Sequence, residues 1–451
     1  MNEQASYAQD TIVARATPAG MGGVAVVRIS GPDVERIAER MLHKLPTPRY
    51  AELSDFSDTA GNLLDKGLAL YFPGPDSFTG ESVLELHGHG GPVVVASLID
   101  AVVALGARIA EPGEFSKRAF LNDKLDLVQA EAIADLIGSG TQHAERAALR
   151  SLSGAFSKTV EALQEQLIRL RLHVEAAIDF PEEEIDFLSD QKLLDRIDDC
   201  DRAFAEIMKT AAIGRVLRDG FQVVIVGKPN VGKSSLLNLL SGQDAAIVTD
   251  VAGTTRDILR EHIKIDGLSV ELIDTAGLRS DPDQIEAEGI RRARDALSKA
   301  DAALWIQDAS TSDQDDGPEE PLPENIPVVV VRNKIDLTAD ASSPPQEGDS
   351  TIHMSAKTGA GLGALMEKIK SLAGYQDLGQ GALTARQRHI DALARALQHF
   401  QSGRQALTDA QSGEILAEEL RLAQQALGEI TGALTSDDLL GRIFSEFCIG
   451  K

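Results

Sequence analysis

Gly227-Lys-Pro-Asn-Val-Gly-Lys-Ser234 follows the apolar run Phe221–Val226 and precedes Ser235–Leu240, a short leucine-rich segment. An apolar strand, a glycine-bearing loop and a helix in that order predict a phosphate-binding loop. The glycines let the backbone wrap phosphate oxygens. The N–H groups at the helix start donate to them, aided by the helix dipole. Asn230, Val231, Gly232, Lys233, Ser234 and Ser235 are therefore expected at the nucleotide. Lys233 is placed to bridge the β- and γ-phosphates, and the Ser234 hydroxyl to bind Mg²⁺.

The base is specified further along. Val328–Val331 reads as a strand leading into Asn333-Lys-Ile-Asp336. A carboxylate at Asp336 accepts from the N1–H and 2-amino group of guanine. Adenine offers no such donor pair, so GTP is expected over ATP. Ser355-Ala-Lys357, behind the strand Thr351–Met354, completes the base site with Asn333 and Lys334, and the Ala356 N–H is expected on guanine O6. Between phosphate loop and base motif lies a hairpin, His262–Ile265 and Ser269–Ile273, turned by Asp266-Gly267. It ends in Asp274-Thr-Ala-Gly277: Asp274 would hold Mg²⁺ through water, Thr275 and Ala276 follow, and the Gly277 N–H would sense the γ-phosphate. Gly253-Thr-Thr-Arg256 sits where a first switch belongs, with Thr255 as a Mg²⁺ ligand. Many GTPases orient the attacking water with Gln just after the switch-II glycine. Here Leu278 stands there, so another group must act or hydrolysis must be very slow.

Outside this segment the texture differs. Thr11–Ala16, Val24–Ser30, Gly67–Phe72 and Ser82–His87 read as strands and Val93–Leu105 as a helix. From Phe115 helical spacing takes over: Leu149, Leu152, Phe156, Val160, Leu163, Leu167, Leu170 and Val174 read as one face of a long helix. After the Gly/Gln-rich Gly374–Gly381 it returns with Leu393, Leu397 and Phe400, then Leu416, Leu420, Ala423, Leu427, Ile430 and Leu434. Ser310–Pro323 and Ala339–Ser350 read as exposed acidic loops. Two helical segments flanking one α/β segment are most simply one helical domain carrying an insertion.

The chain has 451 residues and a formal net charge of -26, so its surface as a whole repels phosphate backbones. An RNA partner would need a local basic patch, a shaped pocket or a helper protein. Two cysteines, Cys200 and Cys448, give no disulfide framework. Met1–Asp10 lacks an apolar signal region, and no stretch approaches the roughly 18 apolar residues of a membrane span. A cytoplasmic protein with no membrane partner is expected.

Gly227–Ser234, Gly253-Thr-Thr-Arg-Asp257 and Asp274-Thr-Ala-Gly-Leu278 resemble translation-factor-related GTPases in which a hydrophobic residue replaces the catalytic Gln. Pro112-Gly-Glu-Phe115, Arg118-Ala-Phe-Leu-Asn-Asp-Lys-Leu-Asp126, Ala176-Ala-Ile-Asp-Phe180 and the final Phe447-Cys-Ile-Gly-Lys451 narrow this to the MnmE (TrmE) family. The resemblance covers essentially the whole chain. It implies a multidomain α/β plus all-α protein: a tetrahydrofolate-binding and dimerisation domain over 1–115, a helical domain over 116–220 and 374–451, and an inserted P-loop GTPase domain over 221–373.

The activity implied is a potassium-activated GTPase. As a homodimer, with an MnmG-type flavoprotein in a heterotetramer, it would take part in adding an aminomethyl or carboxymethylaminomethyl group to C5 of the wobble uridine of certain tRNAs. The family's potassium site falls on Asn230, Thr249, Val251 and Thr254, and its nucleotide loop takes in Asp250, Ala252 and Gly253. Its water-positioning glutamate falls on Glu286, which would answer the problem posed by Leu278. Its site for 5-formyltetrahydrofolate or a related reduced folate falls on Arg28, Glu85, Lys124 and Lys451. Gly20-Met-Gly-Gly23 departs from the Gly-Arg-Gly-Gly of many members. Cys448, within the terminal motif, is implied near the modification chemistry. A prenylation signal is excluded because Lys451 is unsuited to the last position. A ribosome-assembly GTPase would share the nucleotide motifs but would usually carry a basic RNA-binding appendage. A membrane-associated signalling switch would need an anchor.

Overall fold

In a computed structural model of the chain, residues 10–179, 191–242, 260–274, 300–311, 326–338, 351–375, 382–433, 437–445, 447 and 450 are described, with the backbone alone at 179, 260, 274, 437 and 438. Two units separate: Met1–Ile137 with Ser151–Phe204 and Ala392–Lys451, and Gly138–Arg150 with Ala205–Asp391.

The first unit contains a six-stranded sheet. Its strands are β1 (Ile12–Arg15), β2 (Gly22–Ser30), β3 (Glu52–Ser57), β4 (Leu63–Phe72), β5 (Val83–Gly90) and β6 (Arg108–Ile109), in the order β3-β4-β5-β2-β1-β6. Neighbours run antiparallel except β1 and β6. The alternation of Ala25, Val27 and Ile29 turns those residues into a core with Val34, Ile37 and Met41 of helix Val34–Leu42 and Leu98 and Val102 of helix Pro92–Ala104. Four of the six strands lie where the sequence pattern predicts them. β3, β6 and the helix Val34–Leu42, whose apolar residues are broken up by charges, come in addition.

The helical segments further along the chain correct one expectation. The stripe from Leu149 to Val174 is not one helix: Gln142–Leu152 ends and Ala155–Asp179 begins around Gly154. Gly154 has φ +82°, the left-handed conformation in which a helix commonly stops. Leu149 is 46% exposed, whereas Phe156, Val160, Leu163, Leu167, Leu170 and Val174 are buried. The spacing ran straight through the break because three- and four-residue steps survive a short interruption. Helix Ala155–Asp179 packs against Gly413–Thr431, which buries Leu416, Leu420, Ala423, Leu427 and Ile430. Leu434 lies outside the described residues.

An ion network ties the sheet to helix Glu114–Leu121. Arg118, 1% exposed, donates to Asp10 Oδ1 at 2.7 Å, to both Glu81 oxygens at 3.1 Å and to Glu114 Oε1 at 2.9 Å. Arg108 adds Asp10 at 2.6 Å and Glu114 at 2.5 and 2.8 Å. Burial alone would raise the Glu114 pKa. The bonds from Arg108, the Glu111 N–H and Arg118 outweigh it and hold the carboxyl below its ordinary value.

The second unit carries the sheet β12-β11-β10-β7-β9-β8. Its strands are β7 (Phe221–Val226), β8 (Arg260–Ile265), β9 (Leu268–Asp274), β10 (Ala302–Asp308), β11 (Val328–Asn333) and β12 (Thr351–His353). All pairs are parallel except β8 with β9. That hairpin turns at Asp266 (φ +51°) and Gly267 (φ +91°), where two successive positive φ values match the twist of the strands. Val223, Ile225, Val270, Leu272, Leu304, Ile306, Val329 and Val331 form its core with Leu236, Leu237 and Leu240 of helix Lys233–Ser241. The architecture is thus multidomain, mixed α/β with all-α helical packing.

Arg118→Met should leave Glu114 and Glu81 short of a partner and destabilise the first unit by about 3–5 kcal/mol, the range for breaking one side of a buried ion pair. Hydrogen exchange at β1 and Glu114–Leu121 is the local readout; wild-type protection in the variant would make the network energetically idle. Because the folded Glu114 pKa is lowered, its contribution is full above the ordinary carboxyl value of 4.5. It is lost as pH falls through the folded value. Acid titration of the wild type should therefore release this region below pH 4.5, and the variant should show a smaller pH response there.

Candidate functional site

β7 lies between β9 and β10, so chain connections diverge to either side of it. In open parallel sheets ligands bind outside the carboxyl ends of the strands at such a point. The loop 227–232 emerges there. Gly227 has φ +152°, Asn230 φ +64° and Gly232 φ +100°, and Gly232 precedes the first turn of helix Lys233–Ser241. A Cβ on Gly232 would stand 2.2 Å from Asn333 Nδ2, and one on Gly227 2.5 Å from the Ile306 carbonyl. Both positions exclude a side chain twice over, by conformation and by space. Lys233, 7% exposed, folds its ammonium back onto the carbonyls of Gly227 at 2.5 Å and Lys228 at 2.9 Å. Ser234, Ser235 and Asn230 are exposed, and Val231 is buried.

Asn333 ends β11 and is 2% exposed. Its Nδ2 donates to the Val231 carbonyl at 2.9 Å, and its Oδ1 accepts from the Ala356 N–H at 2.8 Å. The second bond bears on the expected contact of Ala356 with guanine O6: that N–H is engaged by Asn333, so a base oxygen would share it. Asp336 sits in the short turn Ile335–Leu337 and accepts from Ser355 Oγ at 2.6 Å. Ser355 is fully buried and also takes the Thr358 N–H at 3.2 Å. Lys334, at φ +68°, reaches Asp308 at 2.6 Å. Burial pushes the Asp308 pKa up, but bonds from Lys334 and Ser310 prevail and hold it below its ordinary value.

These groups surround one cavity of about 560 Å³, lined by Gly232, Ser235, Asn238, Leu239, Asn333, Lys334, Asp336, Leu337, Ala356 and Lys357. The structure thus brings the phosphate loop and both base motifs to one place. Asn238, Leu239 and Leu337 were missed from sequence, as was the Asp308–Lys334 pair. The pair forms because the β10–β11 register sets Asp308 opposite Asn333, next to Lys334. The backbone of Asp274 stands beside Ile225 at the same end of the sheet. Thr249, Asp250, Val251, Ala252, Gly253, Thr254, Thr255, Thr275, Ala276, Gly277, Leu278 and Glu286 lie outside the described residues.

In the first unit Arg28 Nε donates to Glu85 Oε1 at 2.9 Å across β2 and β5. The Arg28 guanidinium lies 5.5 Å from the Phe78 ring centre and 5.8 Å from that of Phe115. Lys124 is exposed and, among the described residues, has no ion-pair partner. Its stem passes Gly80, where a Cβ would come within 3.3 Å of Lys124 Cε. Lys451 and Cys448 lie outside the described residues. Near them Phe447 packs with Phe444, Leu440 and Leu127, and Gly450 sits so close to β1 that a Cβ would meet the Arg15 carbonyl at 2.1 Å. Cys200, by contrast, is buried, and burial with the nearby Asp199 and Asp201 charges pushes its thiol up to about 12, which suits a packing role. No helix among the described residues is long and apolar enough to cross a membrane.

Two family models match the chain: the GTP-binding protein TrmE N-terminus over residues 11–124 and the MnmE helical domain over residues 127–448. Among solved structures, the G domain of the T. maritima FeoB iron transporter is similar at 27% identity over 34% of this chain and 98% of that one, with a TM-score of 0.24. Aquifex aeolicus Era bound to GDP·AlF4⁻ is similar at 28% identity over 42% of this chain and 66% of that one, with a TM-score of 0.26. The helical-domain match alone spans most of the chain, and with the N-terminal match it establishes that the chain belongs to the MnmE (TrmE) family of GTP-hydrolysing tRNA-modification proteins.

Proposed function

We propose that the chain is a potassium-activated GTPase which, as a cytoplasmic homodimer and with an MnmG-type flavoprotein in a heterotetramer, takes part in adding an aminomethyl or carboxymethylaminomethyl group to C5 of the wobble uridine of certain tRNAs. The observation that carries the GTP reading is the single cavity shared by Gly232, Asn333, Asp336 and Ala356. A guanine edge fits Asp336, whose carboxylate is oriented by Ser355, while the phosphates run toward the helix start at Lys233. Lys233 now rests on loop carbonyls and would exchange them for phosphate oxygens.

The donor set suits hard cations. Ser234, exposed in the first turn of the helix, and Thr255 would hold Mg²⁺, with Asp274 acting through water. The Asn230 amide oxygen, with Thr249, Val251 and Thr254, would hold K⁺. Bound there, the two ions would offset phosphate charge as it develops during hydrolysis. Glu286 would orient the water in place of the Gln that Leu278 replaces. A reduced folate would use Arg28, Glu85, Lys124 and Lys451, and Cys448 would serve the modification chemistry. Segments 1–115, 116–220 with 374–451, and 221–373 would form the folate, helical and GTPase domains.

Asp336→Asn replaces an acceptor by an amide and should shift preference from GTP toward XTP. A loss of GTP affinity of at least about tenfold is expected for exchanging a charged hydrogen bond for a mismatch. Competition binding with GTP, ATP and XTP reads this, and an unchanged preference would remove the base site. Hydrolysis should run faster in K⁺ than in Na⁺ at equal ionic strength. Asn230→Ala should erase most of the difference while GTP binding persists. Equal rates of the wild type in both salts would end the potassium reading.

A further inference from the structure

On β5, residues 85 and 87 share one face because strand side chains alternate. Arg28 stands opposite Glu85 in the register with β2, and Val26 opposite His87. On that face the Glu85 carboxylate is held from both sides. Arg28 Nε donates to Oε1 at 2.9 Å, and His87 Nε2 lies 3.0 Å from Oε2. The Arg28 guanidinium also lies 5.5 Å from the Phe78 ring centre and 5.8 Å from that of Phe115, within the range at which an aromatic face attracts a cation.

The backbone bearing His87 is also held. Gly67 on β4 approaches so closely that a Cβ there would come within 2.1 Å of the His87 carbonyl oxygen. Two residues on, the His89 N–H donates to Asp65 Oδ2 at 2.7 Å, and His89 Nδ1 lies 2.7 Å from Asp65 Oδ1. The three side chains nevertheless stay open to solvent, at 24% for Arg28, 16% for Glu85 and 28% for His87. A carboxylate has about four acceptor sites. With one protein partner on each oxygen, each keeps capacity for a further donor. Two neighbouring acceptors in a fixed plane match a ligand edge with two adjacent N–H groups, as in a 2-aminopyrimidinone.

We propose that His87 is a positioning residue for such a ligand. Its imidazole fixes the second oxygen of Glu85, so that the carboxylate discriminates a paired N–H edge from one lacking the 2-amino group. This rests on the reading of the face as a reduced-folate site. Without His87, Arg28 holds one oxygen only, the carboxylate turns about that bond, and binding must order it.

The test is calorimetric titration of the full chain with 5-formyltetrahydrofolate and with its 2-desamino analogue, in the wild type, His87→Leu and His87→Gln. His87→Leu should weaken the parent ligand about tenfold, as for loss of ordering around a charged hydrogen bond. It should also shrink the parent-to-analogue ratio. His87→Gln, whose amide N–H can replace Nε2–H, should restore both the affinity and the ratio. A merely packing role would shift the melting temperature in the Leu variant and leave the ratio alone. Wild-type affinity and ratio in His87→Leu, or no rescue by Gln, would overturn the proposal. Absence of binding by the wild type would remove the folate reading itself and this inference with it.

Discussion

The side chain of Asn333 joins three stretches of chain that the sequence keeps apart. It donates to Val231, 102 residues earlier, and accepts from Ala356, 23 residues later. An amide this deeply buried leaves an unmet polar group if either bond breaks, at about 1–3 kcal/mol each. The shape of the phosphate loop and the placement of the base loops are therefore set together. The same contact dictates the residue at 232. Asn333 Nδ2 occupies the space a Cβ would need, and the backbone there is already left-handed. On the proposed GTP reading, phosphate binding and base selection would both rest on this one hydrogen-bonded amide.

A comparable constraint organises the other unit. Arg118 draws Asp10, Glu81 and Glu114 onto one buried guanidinium. These carboxylates come from the chain before β1, the loop before β5 and the helix Glu114–Leu121. Burying so much charge carries a large desolvation cost, recovered only where every partner is in place. The network also fixes the turn after Phe78: Ser30 Oγ lies 2.7 Å from Thr79 Oγ1 and donates to Glu81 at 2.7 Å. Phe78 and Phe115, whose rings lie near the Arg28 guanidinium, thus sit on segments that the network itself holds. The candidate ligand face is in this sense a consequence of the ion cluster behind it.

Much of this was legible in residue order. Phe221–Val226, the loop after it and the Asp266-Gly267 hairpin follow from local chemistry: a nearly continuous apolar run, glycine where φ is positive, and a two-residue turn. What escaped depends on contacts between distant segments. Arg118 was read only as part of a family motif, because nothing local marks an arginine for burial. The break at Gly154 was hidden by a stripe whose spacing fits on both sides of it. β3 was missed because its pattern is inverted: the apolar Leu53 is 65% exposed, while the polar Ser54 is buried beside Phe56. The Asn333–Ala356 bond was invisible because it competes with a role assigned to the same N–H. His87 was within reach: strand alternation puts it on the face of Glu85.

The family assignment and the nucleotide site converge on tRNA modification. The most direct measurement is mass analysis of tRNA nucleosides from cells deleted for this chain, with the wild-type chain or a Gly232→Val variant returned. On deletion the C5 aminomethyl-type groups on wobble uridine should disappear. They should return with the wild type and stay absent with the variant, whose side chain collides with Asn333. Wobble uridine modified normally in the deleted cells would contradict it.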